Sequence, residues 1–290
     1  MAESLVNTRR RIATIKSTEK ITKAMKLVAT VKYQRWRRTY DESRPYSSQM
    51  QRMLITTLES VPFEELSSNP YIKESEGEKT LYILVTSSLG LCGAYNYSLF
   101  KTLDPILKEG DGLYLIGTKG YTHYKNKEVE INEEYIHLLE EFRMSRVRRL
   151  RHSIVRDYKS GKYQKVVLVY TQYKNSMTFL PSLHTLLPLD VEALSLRKDS
   201  YDYEPLFEPD LQTVLENVIT YSIDSQIYQR LIESELSELA SRRNAMETAT
   251  DAADKIVKQL QLQYNKSRQN AITQEITEVV AGANAGKKEE

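Results

Sequence analysis

Cysteine is almost missing from this chain: Cys92 is the only one in 290 residues. A single thiol excludes an internal disulfide framework and a cysteine-rich metal site, and it suits a reducing compartment. Glycine (10) and proline (8) are scarce, which favours long uninterrupted elements over many short strands. No apolar run approaches the ~20 residues a membrane helix needs. The opening stretch MAESLVNTRRRIATIKS has no apolar core of signal-peptide length. Charge of one sign is lacking too. Lys and Arg number 41 against 39 Asp and Glu, a formal net charge of +2, so bulk electrostatics gives no case for nucleic acid or an anionic membrane. What remains is a chain 40% hydrophobic and 28% charged, with enough apolar material for a core and enough length for one large domain or two smaller ones.

The scarce breakers are unevenly placed. From Met1 to Arg44 there is neither Pro nor Gly, and Ile12, Ile15, Met25, Val28 and Val31, with Ala24 and Ala29, recur at three- and four-residue steps. That is a helical stripe, with Arg9, Arg10, Lys16, Lys20, Lys23 and Lys26 mostly off it. Pro45 marks a kink or a break, and VPFEELSSNPY reads as a loop. The texture changes at Glu78. KTLYILVTSS, GLYLIGTKG and YQKVVLVYTQY read as buried strands, separated by the helical patterns AYNYSLFKTLDPILKE and RMSRVRRLRHSIVRDYKSGK. Strands alternating with helices predict a compact α/β domain with a mainly parallel sheet. MTFLPSLHTLLPL reads as an added strand pair, and SLRKDSYDYEPLFEP as a connector.

From Asp210 to Ala281 there is again neither Pro nor Gly. A helix of ~70 residues would span about 105 Å, which calls for a special reason. Leu239, Met246, Ala249, Ala253, Ile256, Leu260, Tyr264, Ser267 and Ala271 supply it as a heptad-like seam, interrupted at Arg242 and Arg243. Such a stripe must bury itself, and the N-terminal helix is the available partner. Both ends leave the same α/β domain, so they are expected to run antiparallel. The C-terminal helix is the longer, so its tip, ITQEITEVVAGANA, would project beyond its mate. The expected segments are 1–60, 78–200 and 209–286.

Candidate chemistry is thin. SSLGLCGAYN (Ser87 to Asn96) is a glycine turn without the Lys-Ser/Thr of a phosphate-binding loop or the three-glycine dinucleotide fingerprint, and GTKG has the same weakness. Cys92 with His123, His137, His152 or His184 forms no recognisable nucleophile motif, and no histidine spacing resembles a zinc site. No catalytic, cofactor or metal residue is expected. The basic clusters at Arg9–Arg11, Tyr33–Arg38 and Arg146–His152 leave a coiled-coil scaffold or nucleic-acid protein as the alternative reading.

The two ends carry a more specific signal. Ile272-Thr273, Glu275, Glu278, Gly282-Ala283 and Ala285 at the C-terminus, and KITKAMKLVA near the N-terminus, resemble the gamma subunit of the rotary F-type ATP synthase. SRPY, SSLGLCGAYN and ATDAADKI sit where that family would place them, although TSSLGLCG stands where many relatives carry a charged pair. The resemblance implies a long antiparallel two-helix coiled coil made by both termini plus a central Rossmann-like α/β domain. It implies a non-catalytic rotor shaft that couples proton or sodium flow to ATP synthesis or hydrolysis in the beta subunits. The partners it implies are the enclosing alpha and beta subunits, the epsilon subunit and the membrane ring of c subunits, with no nucleic acid. Met25, Lys20, Lys23 and Lys26 on the first helix, and Arg268, Gln269, Thr273, Glu275 and Glu278 on the last, would carry the partner contacts. No redox insert with paired cysteines is expected, and the place implied is the cytoplasmic face of a bacterial membrane, attached peripherally.

Overall fold

The computed structural model describes residues 2–72, 77–191, 194 and 205–286, and by internal contacts the chain divides into two units. One is Ala29–Arg242, and the other is Met1–Val28 with Arg243–Glu290. Two long helices contribute to both: α1 (Ala2–Glu59) and α6 (Leu211–Gly286). Pro45 lies inside α1, which neither ends nor restarts there. Its side chain is exposed, so the ring meets no packed neighbour.

The unit Ala29–Arg242 is built on a five-stranded sheet of order β3-β2-β1-β4-β5. Its strands are β1 (Thr80–Val85), β2 (Gly112–Ile116), β3 (Glu130–Asn132), β4 (Lys165–Tyr173) and β5 (Phe179–Leu187). All pairings are parallel except β4 with β5. The central strand β1 is buried on both faces, which is why TLYILV is a continuous apolar run rather than an alternating one. Side chains still alternate in destination. Leu81, Ile83 and Val85 meet α5 (Met144–Lys159), through Val147, Leu150 and Ile154, and α6, through Ile219, Ile223 and Ile227. Tyr82 and Leu84 face the opposite layer, with Leu99 and Leu103 of α3 (Tyr95–Leu103) and Tyr124 of α4 (Thr118–Tyr124). The result is a three-layer α/β/α unit, as the alternation of patterns predicts.

Two local expectations are corrected. VPFEELSSNPY is not simply a loop, because Phe63–Ser68 forms a short helix, α2, directly after Pro62, a residue suited to a helix start. MTFLPSLHTLLPL forms one strand, not two. Pro181 lies within β5, an edge strand, where proline is tolerated. The short strand β3 carried no sequence signal. The connector expected from Ser195 falls outside the described residues up to 204, as does the end of the 78–200 segment.

The glycine turns are structural. Gly117 has φ +89°, and a Cβ there would sit 2.1 Å from the Thr86 carbonyl oxygen. GTKG therefore turns β2 into α4, with the Gly120 N–H donating to Thr86 Oγ1 at 2.9 Å. In SSLGLCGAYN the Asn96 side chain closes the turn: its amide donates to Ser87 Oγ at 2.7 Å and its Oδ1 accepts from the Ser87 N–H at 3.0 Å. Ser87 Oγ in turn donates to the Leu89 carbonyl at 2.7 Å.

Candidate functional site

The second unit consists of the two helix arms. In the α1 arm the buried and half-buried positions are Leu5, Thr8, Ile12, Ile15, Glu19, Thr22, Met25 and Lys26. In the α6 arm they include Met246, Thr250, Ala253, Val257, Leu260, Tyr264, Ser267 and Ala271, at alternating four- and three-residue steps. That is the spacing which keeps one seam against a partner helix. Two cross-arm bonds fix direction and register. The Thr22 and Thr250 hydroxyls meet at 2.8 Å, and Lys26 Nζ donates to Glu247 Oε1 at 2.7 Å. The numbers in these pairs add to 272 (22 + 250) and 273 (26 + 247), so the arms are antiparallel. The same register sets Ile12 opposite Leu260 and Leu5 opposite Ser267, and it brings Ala2 level with residue 270. Burial on α6 stops where the partner does: Ala271 is the last half-buried residue, and Ile272 to Ala281 are all exposed.

The seam departs from its expected membership. Val28 and Val31 are exposed, and Ile256 is 42% exposed; Thr22, Val257 and the half-buried Thr250 take the inner positions. Thr22 and Thr250 meet there through a hydroxyl–hydroxyl bond, in line with the buried Ile12 and Leu260. Ile21, Ala24 and Val28 then form an exposed apolar row on α1, and Ile272, Ile276, Val279 and Val280 leave the α6 tip exposed and apolar.

The predicted contact residues are distributed along these arms. Lys20 and Lys23 are exposed and Met25 is half-buried. Lys26 is half-buried and paired with Glu247, whose carboxyl that bond holds below the usual carboxylate range. Arg268, Gln269, Thr273, Glu275 and Glu278 are all exposed. Gln269 and Thr273 share a helix face as spaced, with Thr273 Oγ1 donating to the Gln269 carbonyl at 3.0 Å, and Glu278 accepts from Gln274 at 2.9 Å. The side chains of Gly282, Ala283 and Ala285 lie outside the described residues. The cross-arm threonine pair escaped the sequence reading. Its only signal was two threonines 228 positions apart, one on each helical pattern.

The thiol and three of the histidines have local partners. Cys92 is buried against Ser87 and Asn96, while His123 contacts Asp104, His137 contacts Glu140 and His184 contacts Gln226. Among the described residues no three His, Cys, Asp or Glu gather to hold a metal, and no helix is long and apolar enough to cross a membrane.

The family model described as ATP synthase matches residues 4–285. The ATP synthase gamma chain of Mesoplasma florum is 34% identical over 284 residues, covering 97% of this chain and 98% of the relative. The gamma chain of Acetobacterium woodii, named sodium ion specific, is 33% identical and covers 98% and 99%. Among solved structures, the central stalk and c-ring of Tetrahymena thermophila mitochondrial ATP synthase aligns with a TM-score of 0.58 at 25% identity, covering 79% of this chain and 99% of that one. A chain of the Euglena gracilis mitochondrial ATP synthase aligns with a TM-score of 0.65 at 16% identity over 98% and 95%, a likeness of fold. The match runs along nearly the whole length, and the chain belongs to the ATP synthase gamma chain family.

Proposed function

We propose that this chain is the central rotor shaft of an F-type ATP synthase, a non-catalytic subunit that couples proton or sodium flow through a membrane ring to ATP synthesis or hydrolysis in the beta subunits. The observation that carries this reading is the unequal pairing of the arms. The α1 arm runs out near residue 270 of its mate, and the α6 tip continues alone with Ile272, Ile276, Val279 and Val280 exposed. A single helix with bare apolar residues gains stability from being enclosed, and a ring of alternating alpha and beta subunits is an enclosure of that kind. Unequal arms also make the shaft asymmetric. Each beta subunit is then a two-state element biased by whichever face it meets.

Torque needs stronger contacts than an apolar bearing offers. In this reading the exposed Arg268 and Gln269 engage an acidic loop of a beta subunit, with Thr273 on the same face as Gln269 and Glu275 and Glu278 further along. On α1, Lys20 and Lys23 offer cations and Met25 a packing contact; Lys26 acts chiefly within the arm. A charged hydrogen bond contributes about 1.5–3 kcal/mol, so several are needed per step. The α/β unit is assigned to the epsilon subunit and the ring of c subunits, and the complex to the cytoplasmic face of a bacterial membrane. A tagged chain expressed in its own cell should co-purify with alpha, beta and epsilon subunits, and its absence from such a complex would sink the reading. Within the complex, Arg268→Ala with Gln269→Leu should lower ATPase turnover several-fold while the melting temperature of the free subunit stays unchanged. Wild-type turnover in that variant would remove the contact assignment.

A further inference from the structure

The α/β unit contains a cleft of about 580 Å³ that the shaft role does not use. It opens where the carboxyl end of β1 gives out into Thr86, Ser88 and Leu89. From β1 the chain goes to β2 and β3 on one side of the sheet, and β4 and β5 lie on the other. This reversal is the place where open α/β sheets take ligands. One wall is aromatic: Trp36 and Phe142 have ring centroids 5.1 Å apart, and Phe142 and Tyr228 4.8 Å apart.

The polar groups are of both signs and are incompletely used. Arg242, only 7% exposed, spends Nη1 on the Glu238 carboxylate and Nη2 on the Leu89 carbonyl at 2.9 Å. Its Nε is buried without a hydrogen-bond partner among the described residues. Glu235, one turn before Glu238, lines the same cleft and makes no hydrogen bond or ion pair among the described residues. The charges around Glu235 are Lys32 and Arg35 of α1, Glu140 before α5, and Glu238 and Arg242 of α6, with the Tyr95 hydroxyl of α3 behind.

We infer that this cleft binds a small zwitterion of amino-acid size, its carboxylate taken by Arg242, its ammonium by Glu235 and its apolar body by the Trp36–Phe142–Tyr228 wall. A bare anion would meet three carboxyl groups and a bare cation would meet three bases, whereas a zwitterion answers both sets. A nucleotide phosphate has no glycine cradle of the phosphate-binding kind here. Burial, and then the neighbouring Glu238, push the Glu235 carboxyl above the usual carboxylate range. A carboxyl raised in this way gives up its proton to pair with the ammonium, so binding strengthens as pH rises through its titration. The ligand would bridge α1, α6 and the β1–α3 turn.

Trp36 is the only tryptophan of the chain, so its fluorescence reports occupancy of the cleft directly. The test titrates the full chain with three probes sharing one body: phenylalanine, phenethylamine and 3-phenylpropanoate. Phenylalanine is expected to saturate the signal and to bind about tenfold or more tighter than either single-charge probe. Its affinity should rise from pH 6 to pH 8 in the wild type, and in Glu235→Gln it should be about tenfold weaker and flat over that range. Gln mimics the protonated acid, and a far-UV circular dichroism spectrum matching the wild type confirms its fold. The wild-type pH series stands without any variant. No saturable change, equal binding of the three probes, preference for a single-charge probe, or a flat wild-type pH series overturns the inference.

Discussion

The two units hold themselves together in opposite ways. In Ala29–Arg242 the sheet is dry: Leu81, Ile83, Leu84, Leu115, Leu168 and Val169 have no exposed surface at all. In the helix arms the best-covered seam residues keep a little, Met246 at 4%, Ala253 and Leu260 at 7% and Ile12 at 8%. The sheet unit buries large aliphatic groups from three layers, whereas a two-helix seam covers each side chain from one side only. Burial yields roughly 25 cal/mol per Å² of apolar surface, so the first unit draws its stability from its core. The arms draw theirs from continuous backbone hydrogen bonding and close approach, which suits a part that must resist twisting and present its outer faces to others. The most sensitive probe of this contrast is Leu168→Ala at the centre of β4. It should lower unfolding free energy by about 2–5 kcal/mol, read as the urea midpoint of the full chain. A loss under 1 kcal/mol would mean that the sheet is not the stable unit.

The same contrast explains what could be seen in the sequence. Segment order, the parallel sheet and the antiparallel arms were all legible, because runs such as TLYILV and KVVLVY are nearly unbroken and the chain ends lack Pro and Gly. The seam register was harder to read. Hydrophobicity points to Val28, Val31 and Ile256, but these are exposed, and Thr22, Thr250 and Val257 take inner positions beside the expected Ala253. The cleft of Trp36, Glu235 and Arg242 was invisible, because its members are scattered over residues 32–242 and only the fold assembles them.

Next in size is the seam itself. Ala253 faces the α1 arm in a register that puts it level with Glu19. Ala253→Glu would add both bulk and a second acid there, at a cost of about 1–3 kcal/mol. Thermal melting followed at 222 nm should show the loss, and an equal charge placed at the exposed Ala252 should not. Equal melting of the two variants would break the distinction between inner and outer faces.

Acidity separates the units as well. In the sheet unit burial lifts the Glu233 carboxyl from 4.5 to about 7, with Arg230 and Arg44 opposing, and its Oε2 is buried without a partner among the described residues. The folded state therefore holds a proton that the unfolded chain releases above pH 4.5. The stability from this group is complete below pH 4.5 and lost as pH rises through 7. Glu233→Gln should flatten that decline, so its stability relative to wild type should rise by on the order of 2 kcal/mol between pH 5 and pH 8. A constant difference across that range would show that Glu233 titrates normally.

The smallest expected effect lies in the arms, where Lys26 meets Glu247 with side chains 34% and 53% exposed. Solvent screens such a pair, and exposed pairs couple by roughly 0.2–1 kcal/mol. A double-mutant cycle of Lys26→Ala and Glu247→Ala on the free chain should return a value in that range, shrinking as salt is added. Its use is in the comparison with the assembled complex. If Lys26 serves the arm alone, Glu247→Ala should leave ATPase turnover unchanged, whereas Lys20→Ala with Lys23→Ala should lower it. If Lys26 is instead handed to an acidic loop of the ring, the coupling measured in the free chain should vanish on assembly, and Lys26→Ala should lower turnover as much as the other two lysines together.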